Sequence, residues 1–398
     1  MNETLSGNLL YGQSGGPTSI INTSAYGLFK EAFKHKEIKK IFTTNFGIKG
    51  ILTDSFREIK NSKNLRKLIN TPGAFFGSNR FKLDSYEKDK TSYEMILETF
   101  KKHNIRYFFY NGGNDSMDTI RKISDFFKVA EYKCNCIGII KTIDNDLVST
   151  DFSLGYPTSA KFIINSTIEI TLDDLSYEEG RVNIIETMGR NEGWLAASAK
   201  LACLKGYEPD LIYVPEVAFN KENFLAKVKE IYERKKHCIV VISEGIKDED
   251  GHFISEMIKK DDGFGHNQLG GASIKLAALV TRNLGYKSRY FELSLLQRAN
   301  SMTISNTEKN IALKLSRFAF LTALKGKNNL CVVIERKNNY PYKYKFSLVP
   351  ICEIANKERP LPLEYIDIEK STINDSFINY LSPLIDGENG LLDIYKNN

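Results

Sequence analysis

The sequence alternates short apolar runs with segments of helical periodicity, and this alternation constrains the fold more than any other feature. An apolar run at 8–11 precedes a segment over 21–32 whose apolar residues recur at helical spacing, and a run at 107–110 precedes a similar segment over 117–127. Strand–loop–helix units of this kind predict parallel sheets covered by helices. The sequence therefore predicts an α/β fold.

The same alternation continues through the rest of the chain. Further strands are predicted at 137–140, 182–185, 211–214 and 238–242, and further helices at 192–204, 222–235 and 269–284. Residues 342–348 alternate with period 2 and predict an antiparallel hairpin with 331–335. The polar stretch 171–180 lies between two blocks of strand–helix units and predicts a domain junction.

Composition excludes several classes of protein. The chain has 398 residues, with 55 Lys+Arg against 49 Asp+Glu, so its net charge is +6. Without a run of like charges or a basic stripe interleaved with aromatic residues, nucleic acid is not an expected partner. No apolar stretch approaches the roughly 20 residues of a membrane-spanning helix, so no membrane association is expected, and Met1–Ser6 lacks the pattern of a signal peptide.

The cysteines predict a reduced environment. Most lie inside apolar runs, where cysteine acts as a small hydrophobic residue, and none forms a zinc-binding pattern. A cytoplasmic location is therefore expected. The six residues are Cys134, Cys136, Cys203, Cys238, Cys331 and Cys352.

Two glycine-rich loops follow predicted strands. The loop 14–19 contains Gly15 and Gly16 before a helix start, which suits an anion, although a plain tight turn fits equally well. The loop 111–116 contains Gly112 and Gly113 followed by oxygen-bearing side chains, which can hold phosphate and Mg²⁺ together. A turn with a helix N-cap is the structural alternative for this second loop.

A third loop, 141–146, follows the predicted strand at 137–140. Asp144 and Asp146 are two residues apart, so in an extended loop both side chains can face one cavity. One carboxylate can accept a hydroxyl proton while the other attracts Mg²⁺, and Lys141 can offset phosphate charge. A solvated turn is the alternative when this loop is taken alone. Because ligands bind beyond the carboxyl ends of parallel strands, the three loops together indicate phosphoryl transfer.

At this point the sequence resembles the 6-phosphofructokinase family, and within it the longer, pyrophosphate-dependent branch. The resemblance extends from Gly12 to about Gly387, and the segment Thr142-Ile143-Asp144-Asn145-Asp146 is its most specific part. Other matching segments follow in the family's order: Gly77-Ser78-Asn79-Arg80, Met188-Gly189-Arg190, Ser243-Glu244-Gly245, Gly265-His266-Asn267-Gln268-Leu269-Gly270-Gly271, Gln297-Arg298 and the tail 355–362.

The resemblance implies two Rossmann-like three-layer α/β/α domains with largely parallel sheets and an active site in the cleft between them. The phosphoryl-donor domain would cover 1–170, with a segment around 300–330 returning to it. The fructose 6-phosphate domain would cover 171–299, and a C-terminal hairpin and extension would cover 331–398. In the family, some substrate-binding arginines come from a neighbouring subunit, which implies a homodimer or homotetramer with shared sites.

The resemblance also implies a role for individual residues. Asp144 would be the general base that takes the proton of the 1-hydroxyl of fructose 6-phosphate. The full catalytic set is Asp144, Lys141, Asp115, Thr142, Asp146 and Arg190. The sugar phosphate would be bound by Thr142, Ile143, Asp144, Arg181, Met188, Gly189, Arg190, Glu244, Arg289 and Arg298. The donor would be bound by Gly15, Gly16, Arg80, Asp115 and Lys141, and Mg²⁺ by Asn114, Asp115 and Asp146.

Two positions indicate the phosphoryl donor. ATP-using relatives carry glycine where this chain has Asp115 and Lys141. A carboxylate at 115 would repel a nucleotide α-phosphate, while Lys141 could bind pyrophosphate, so the resemblance favours pyrophosphate. An ATP-dependent enzyme is one alternative. A catalytically weak, sugar-phosphate-binding regulatory subunit is another, since Asn114, Ile140 and Leu295 depart from the family pattern.

Overall fold

Two sheets with parallel strands at their centres form the framework of the structure, a computed structural model that describes residues 4–255, 258–261 and 267–395. The first sheet has eight strands in the order β14-β13-β5-β4-β1-β2-β3, with β6 paired to β5. The β2–β3 and β13–β14 pairs are antiparallel, and the other pairs are parallel. Its strands are β1 (Gly7–Gln13), β2 (Ile38–Thr44), β3 (Phe56–Ile59), β4 (Ile105–Gly112), β5 (Asn135–Thr142), β6 (Leu154–Gly155), β13 (Leu330–Asn338) and β14 (Lys343–Pro350).

The second sheet has four parallel strands in the order β12-β7-β9-β8. They are β7 (Val182–Thr187), β8 (Leu211–Tyr213), β9 (Cys238–Ser243) and β12 (Ser288–Glu292). Two short antiparallel pairs lie outside both sheets. These are β10 (Ile258–Asp261) with β11 (Asn267–Gln268), and β15 (Ile366–Asp367) with β16 (Thr372–Ile373).

Helices follow most of the central strands, as a parallel sheet requires. They are α1 (Ile21–Ala32), α2 (Ile48–Leu52), α3 (Lys90–Lys102), α4 (Asn114–Val129), α5 (Tyr156–Asp174), α6 (Trp194–Ser198), α7 (Lys221–Lys235), α8 (Ala272–Leu284), α9 (Leu296–Ala299), α10 (Asn306–Leu324) and α11 (Ser376–Leu381). Among the described residues, none of these helices is long and apolar enough to span a bilayer.

Burial explains why the central strands read as continuous apolar runs. Every residue of β7 and β9 is buried, and β4 is buried at all positions except Arg106. Strands covered on both faces need apolar side chains at successive positions, because neither face meets water. One large apolar core surrounds the first sheet and reaches the second, and a smaller one lies between the second sheet and helices α7 and α8.

The predicted α/β class and the antiparallel hairpin are confirmed. Residues 331–335 pair with 345–349 in β13 and β14, and β13 also pairs with β5, so the hairpin extends the first sheet. The predicted division of the chain into domains remains a prediction. The helix expected at 192–204 is wrong in form, since α6 gives way to a 3₁₀ turn at Ala199–Lys205. Residues 194–202 are all buried, so packing sets this backbone more than helical periodicity does.

Candidate active site

The carboxyl ends of central strands in both sheets face one cavity of about 630 Å³. Loops after β1, β4 and β5 line it from the first sheet, and loops after β7 and β9 line it from the second. The residues that line it are Gly15, Gly16, Arg80, Gly113, Asn114, Asp115, Lys141, Thr142, Asp144, Asp146, Met188, Gly189, Arg190, Asn191, Glu192, Glu244, Leu269, Ser294, Leu295, Arg298 and Glu358. Most of the residues predicted from sequence therefore share one cavity.

Lys141 is built into the first glycine-rich loop. Its Nζ donates to the carbonyl oxygens of Ser14, at 2.9 Å, and Gly16, at 2.7 Å. The side chain is almost fully buried, and burial together with the nearby Arg298 lowers the pKa of Lys141 to about 7. The amine therefore lies at the loop that the sequence predicts to bind an anion.

The glycines of that loop allow this close approach. Gly15 has a φ of +75°, and a Cβ there would lie 3.3 Å from Lys141 Nζ. A Cβ on Gly16 would lie 2.9 Å from Nη1 of Arg298. Larger residues would displace the two cations, so the loop keeps space for an anion between them.

Asp144 and Asp146 both line the cavity at the end of β5. The Thr142 hydroxyl donates to Oδ2 of Asp144 at 3.2 Å and accepts from its backbone N–H at 3.1 Å. Burial raises the pKa of Asp144, and burial together with the nearby Asp144 raises the pKa of Asp146 to about 7. Two buried carboxylates that share a cavity repel each other when both are ionised. They are therefore suited to exchanging a proton or attracting a cation.

One side-chain oxygen of Asp146 is placed where it could contact a cation. Within the described parts of the chain, Oδ1 of Asp146 is buried without a hydrogen-bond partner. A buried carboxylate oxygen without a donor is unfavourable unless a ligand supplies the missing charge or hydrogen bond. This oxygen fits the divalent cation that phosphoryl transfer needs.

The contacts of Asn114 bear on its predicted role as a metal ligand. Its amide nitrogen donates to the carbonyl oxygen of Lys357 at 2.6 Å, and its amide oxygen accepts from the backbone N–H of Asn356. Asn114 thus links the start of α4 to the C-terminal segment while it also lines the cavity, and its role as a metal ligand stays a prediction. Asp115, in the first turn of α4, lines the cavity as predicted.

The second sheet contributes the opposite wall. Gly189 has a φ of +122°, and its carbonyl oxygen accepts from the Ser243 hydroxyl, which joins the loops after β7 and β9. The backbone N–H of Met188 donates to Oε1 of Gln297 at 3.1 Å. Burial and the nearby Asp144 raise the pKa of Glu244, on this wall, to about 7.

Three predicted sugar-phosphate residues do not line the cavity of their own chain. Ile143 is 6% exposed and packs in the large core. Arg181 immediately precedes β7, and Arg289 is the second residue of β12. The cavity lies at the opposite end of these strands, and at about 3.3 Å per residue both arginines start well over 10 Å away from it.

The site also contains residues that sequence reasoning missed. Glu192 is 6% exposed and lines the cavity, and burial beside Asp146 and Asp144 raises the pKa of Glu192 to about 10. Glu358, from the C-terminal segment, lines the cavity as well. The only available signal for Glu192 was its place two residues after Arg190. Glu358 lies more than 200 residues along the chain from Asp146, and only the fold brings them together.

The sequence profile described as "Phosphofructokinase" matches residues 8–308, which include β1–β6 of the first sheet, the whole second sheet and every strand end that lines the cavity. The chain belongs to the phosphofructokinase family. Within the family segments, Gly77-Ser78-Asn79-Arg80 packs on the first glycine-rich loop, since the Ser78 hydroxyl donates to the Gly15 carbonyl oxygen at 2.6 Å. Gly265 and His266 lie outside the described residues.

Individual phosphofructokinases resemble the chain over nearly its full length. It is 41% identical to the pyrophosphate–fructose 6-phosphate 1-phosphotransferase of Xanthomonas campestris over 390 residues, covering 96% of this chain and 92% of that protein. It is 37% identical to the protein of the same name from Halomonas elongata, with 98% and 96% coverage. The crystal structure of a pyrophosphate-dependent phosphofructokinase from Marinobacter aquaeolei superposes with a TM-score of 0.86 at 35% identity, covering 98% of this chain and 95% of that one.

Proposed function

We propose that the protein transfers a phosphoryl group from pyrophosphate to the 1-hydroxyl of fructose 6-phosphate, forming fructose 1,6-bisphosphate and phosphate, a glycolytic reaction. The observation that carries the choice of donor is the Lys141 amine, held at the first glycine-rich loop by two carbonyl oxygens. Its position suits a compact anion. Asp115 lines the same cavity, where its negative charge would repel the α-phosphate of a nucleotide. The names of the most similar relatives support the same donor.

Asp144 acts as the general base. Its carboxylate accepts the proton of the 1-hydroxyl as the sugar oxygen attacks the near phosphorus of pyrophosphate and the bridging P–O bond breaks. Burial raises the pKa of this carboxyl group, which brings its proton affinity closer to the working pH. Lys141, Arg80 and Arg298 line the cavity as cations that offset the charge of the transferred phosphoryl group.

The cation we propose is Mg²⁺, with Asp146 and Asp115 as candidate ligands. When bound, it would neutralise charge on the donor oxygens. Among the described residues, three metal-ligating side chains converge only at Asp248, Asp250 and His252, which lie away from the cavity. One or two carboxylates together with phosphate oxygens are the usual ligands of Mg²⁺, so the arrangement favours a cation that enters with the donor.

The positions of Arg181 and Arg289 support a shared active site. Both lie at the end of the second sheet that faces away from their own cavity. We propose that they bind the 6-phosphate in the cavity of a second copy, in a homodimer or homotetramer. Arginine suits this role because its planar fork binds two phosphate oxygens at once. All six cysteines are unpaired, which fits the reduced cytoplasm we propose as its location.

A donor-specificity assay tests the proposal. Purified protein is incubated with fructose 6-phosphate and either pyrophosphate or ATP, with Mg²⁺ or with EDTA. We expect fructose 1,6-bisphosphate with pyrophosphate and Mg²⁺ only. Turnover with ATP and not pyrophosphate would refute the donor, and binding of fructose 6-phosphate without turnover by either donor would favour a regulatory subunit.

A further inference from the structure

The C-terminal segment 355–361 crosses the cleft and contacts loops from both sheets. On the side of the first sheet, the Lys357 carbonyl oxygen accepts from Asn114 at 2.6 Å, and the backbone N–H of Arg359 donates to the carbonyl oxygen of Asp146 at 2.7 Å. At its far end, the Leu361 N–H donates at 2.8 Å to a Glu216 oxygen that also accepts from Gly193, at 2.9 Å. The segment therefore touches both walls of the active site.

The guanidinium group of Arg359 holds the loop that carries Asp144 and Asp146. Its Nε and Nη2 both donate to the carbonyl oxygen of Asn145, at 3.2 and 2.9 Å. Its Nη1 donates to the carbonyl oxygens of Thr150, at 2.7 Å, and Asp151, at 3.0 Å. One side chain thus fixes the backbone at both ends of the loop 145–151.

Asn145 is where this loop needs support. It lies between the two carboxylates and has a φ of +57°, in the left-handed region that few non-glycine residues adopt and that asparagine adopts more often than most. Such a conformation persists only where the surroundings hold it in place. The side chain of Asn145 is buried and bonded to Ser153 and Tyr380, while Arg359 supplies the hydrogen bonds to its carbonyl oxygen.

Arg359 also contacts Trp194, which lies on the side of the second sheet. Its guanidinium carbon lies 4.7 Å from the centroid of a Trp194 ring, and the indole N–H of Trp194 donates to its carbonyl oxygen at 3.1 Å. Trp194 begins α6, directly after the loop that carries Arg190 and Glu192. Arg359 therefore fixes the loop of the general base relative to the opposite wall.

We infer that Arg359 is a positioning residue that sets the orientation of Asp144 and Asp146 in the cleft. The inference rests on the proposed function, because the loop it holds is the one proposed to act on the 1-hydroxyl. Arginine is required at this place because its planar fork reaches three carbonyl oxygens while its face stacks on an indole. Lysine can supply the charge but not this geometry.

Three substitutions test the inference: Arg359→Ala, Arg359→Lys and, as a matched control, Arg106→Ala. The guanidinium group of Arg106 also lies 4.7 Å from an aromatic ring centroid, that of Tyr132, and also donates to a backbone carbonyl oxygen, that of Lys133 at 3.0 Å. It differs in place, because Arg106 is the second residue of β4, at the end of the strand opposite the cavity. Steady-state kinetics are measured for both substrates, and thermal unfolding is measured for each variant. Wild-type turnover with pyrophosphate is measured first, since its absence would refute the proposed function itself.

We expect kcat to fall about 10- to 100-fold in both Arg359 variants, the size of effect that a small misplacement of a catalytic group produces. The KM values for fructose 6-phosphate and pyrophosphate should change little. Millimolar, non-denaturing guanidinium should restore part of the kcat of Arg359→Ala, because it can occupy the vacated place over Trp194, and should not change the kcat of Arg106→Ala.

Two results would overturn the inference while leaving the proposed function intact. One is an active wild type with Arg359 variants that match Arg106→Ala in kcat. The other is a loss in Arg359→Ala that follows thermal stability alone and does not respond to guanidinium. Should Arg359→Ala fail to fold, Arg359→Lys retains the charge and part of the hydrogen bonding, and its kcat against that of Arg106→Ala decides the question.

Discussion

The environment of Lys141 predicts how the use of pyrophosphate should change with pH. Burial and the nearby Arg298 lower the pKa of this amine to about 7, so in the free enzyme it loses its charge just above neutrality. The profile of kcat/KM for pyrophosphate against pH reports the ionisations of the enzyme form whose donor site is still empty. Because only the protonated amine attracts the donor, kcat/KM for pyrophosphate should fall about tenfold for each pH unit well above 7.

Substitution of Lys141 by methionine should remove that dependence. A lysine–phosphate pair at about 4 Å, with an effective dielectric constant of about 20, contributes about 4 kcal/mol, which is about 10³-fold in kcat/KM. At about pH 9 only about one wild-type molecule in a hundred would hold the proton, if the pKa is about 7. The ratio of wild type to Lys141→Met should therefore shrink from about 10³ near pH 6 to about 10 near pH 9.

The assay measures kcat/KM for pyrophosphate between about pH 6 and pH 9 at saturating fructose 6-phosphate and Mg²⁺. Ionisation of pyrophosphate itself is common to both proteins and cancels in the ratio. Lys161→Met is the matched control, because Lys161 is also a buried lysine but pairs with Asp386 at 3.2 Å, outside the cleft. If Lys141→Met retains the wild-type loss at high pH, the ionisation belongs to another group and the reasoning fails.

Three further substitutions test other parts of the structure. Asp144→Asn should lower kcat about 10²–10⁴-fold with little change in KM, and near-normal turnover would exclude it as the general base. The folded protein holds a proton on Glu192, whose pKa is raised by burial to about 10, and the unfolded chain releases it above 4.5. The free energy of unfolding of the wild type should therefore fall between about pH 5 and pH 9, by up to about 1.4 kcal/mol per pH unit. Urea unfolding should show a smaller fall for Glu192→Gln. Plots of unfolding free energy against pH that run parallel for the two proteins would contradict this. Gly245→Ala should cost about 3 kcal/mol, because its Cβ would lie 1.8 Å from the Arg190 carbonyl oxygen. Gly113→Ala, with its nearest atom at 3.5 Å, is the control, and equal unfolding midpoints would refute the clash.

Much of the framework could be predicted from the sequence because it depends on local pattern. Buried parallel strands need apolar residues at successive positions, so runs such as 107–110 and 238–242 indicated β4 and β9 directly. The loop 141–146 could be recognised in the same way, since Lys141, Asp144 and Asp146, which are residue types suited to phosphoryl transfer, lie within six residues. Because the carboxyl ends of parallel strands share one edge of a sheet, these side chains could also be assigned to that edge.

Contacts between residues far apart in the chain could not be predicted from local pattern. Asn114 has the chemistry of a metal ligand, and its amide also bonds to residues 356 and 357, which no local pattern could indicate. The helix expected at 192–204 breaks into α6 and a 3₁₀ turn because packing on all sides sets its backbone. Ile143 lies between two cavity residues, yet its side chain turns into the core.

By itself, the sequence determined the α/β class, the strand ends and the residue types that can move a phosphoryl group. The tertiary structure alone decided which of them meet, because contacts between residues far apart in the chain follow from packing and not from local pattern. It brought Glu192 and Glu358 to the cavity and turned Arg181 and Arg289 away from it. It also placed Arg359, more than 200 residues beyond Asn145, on the loop that carries the proposed general base.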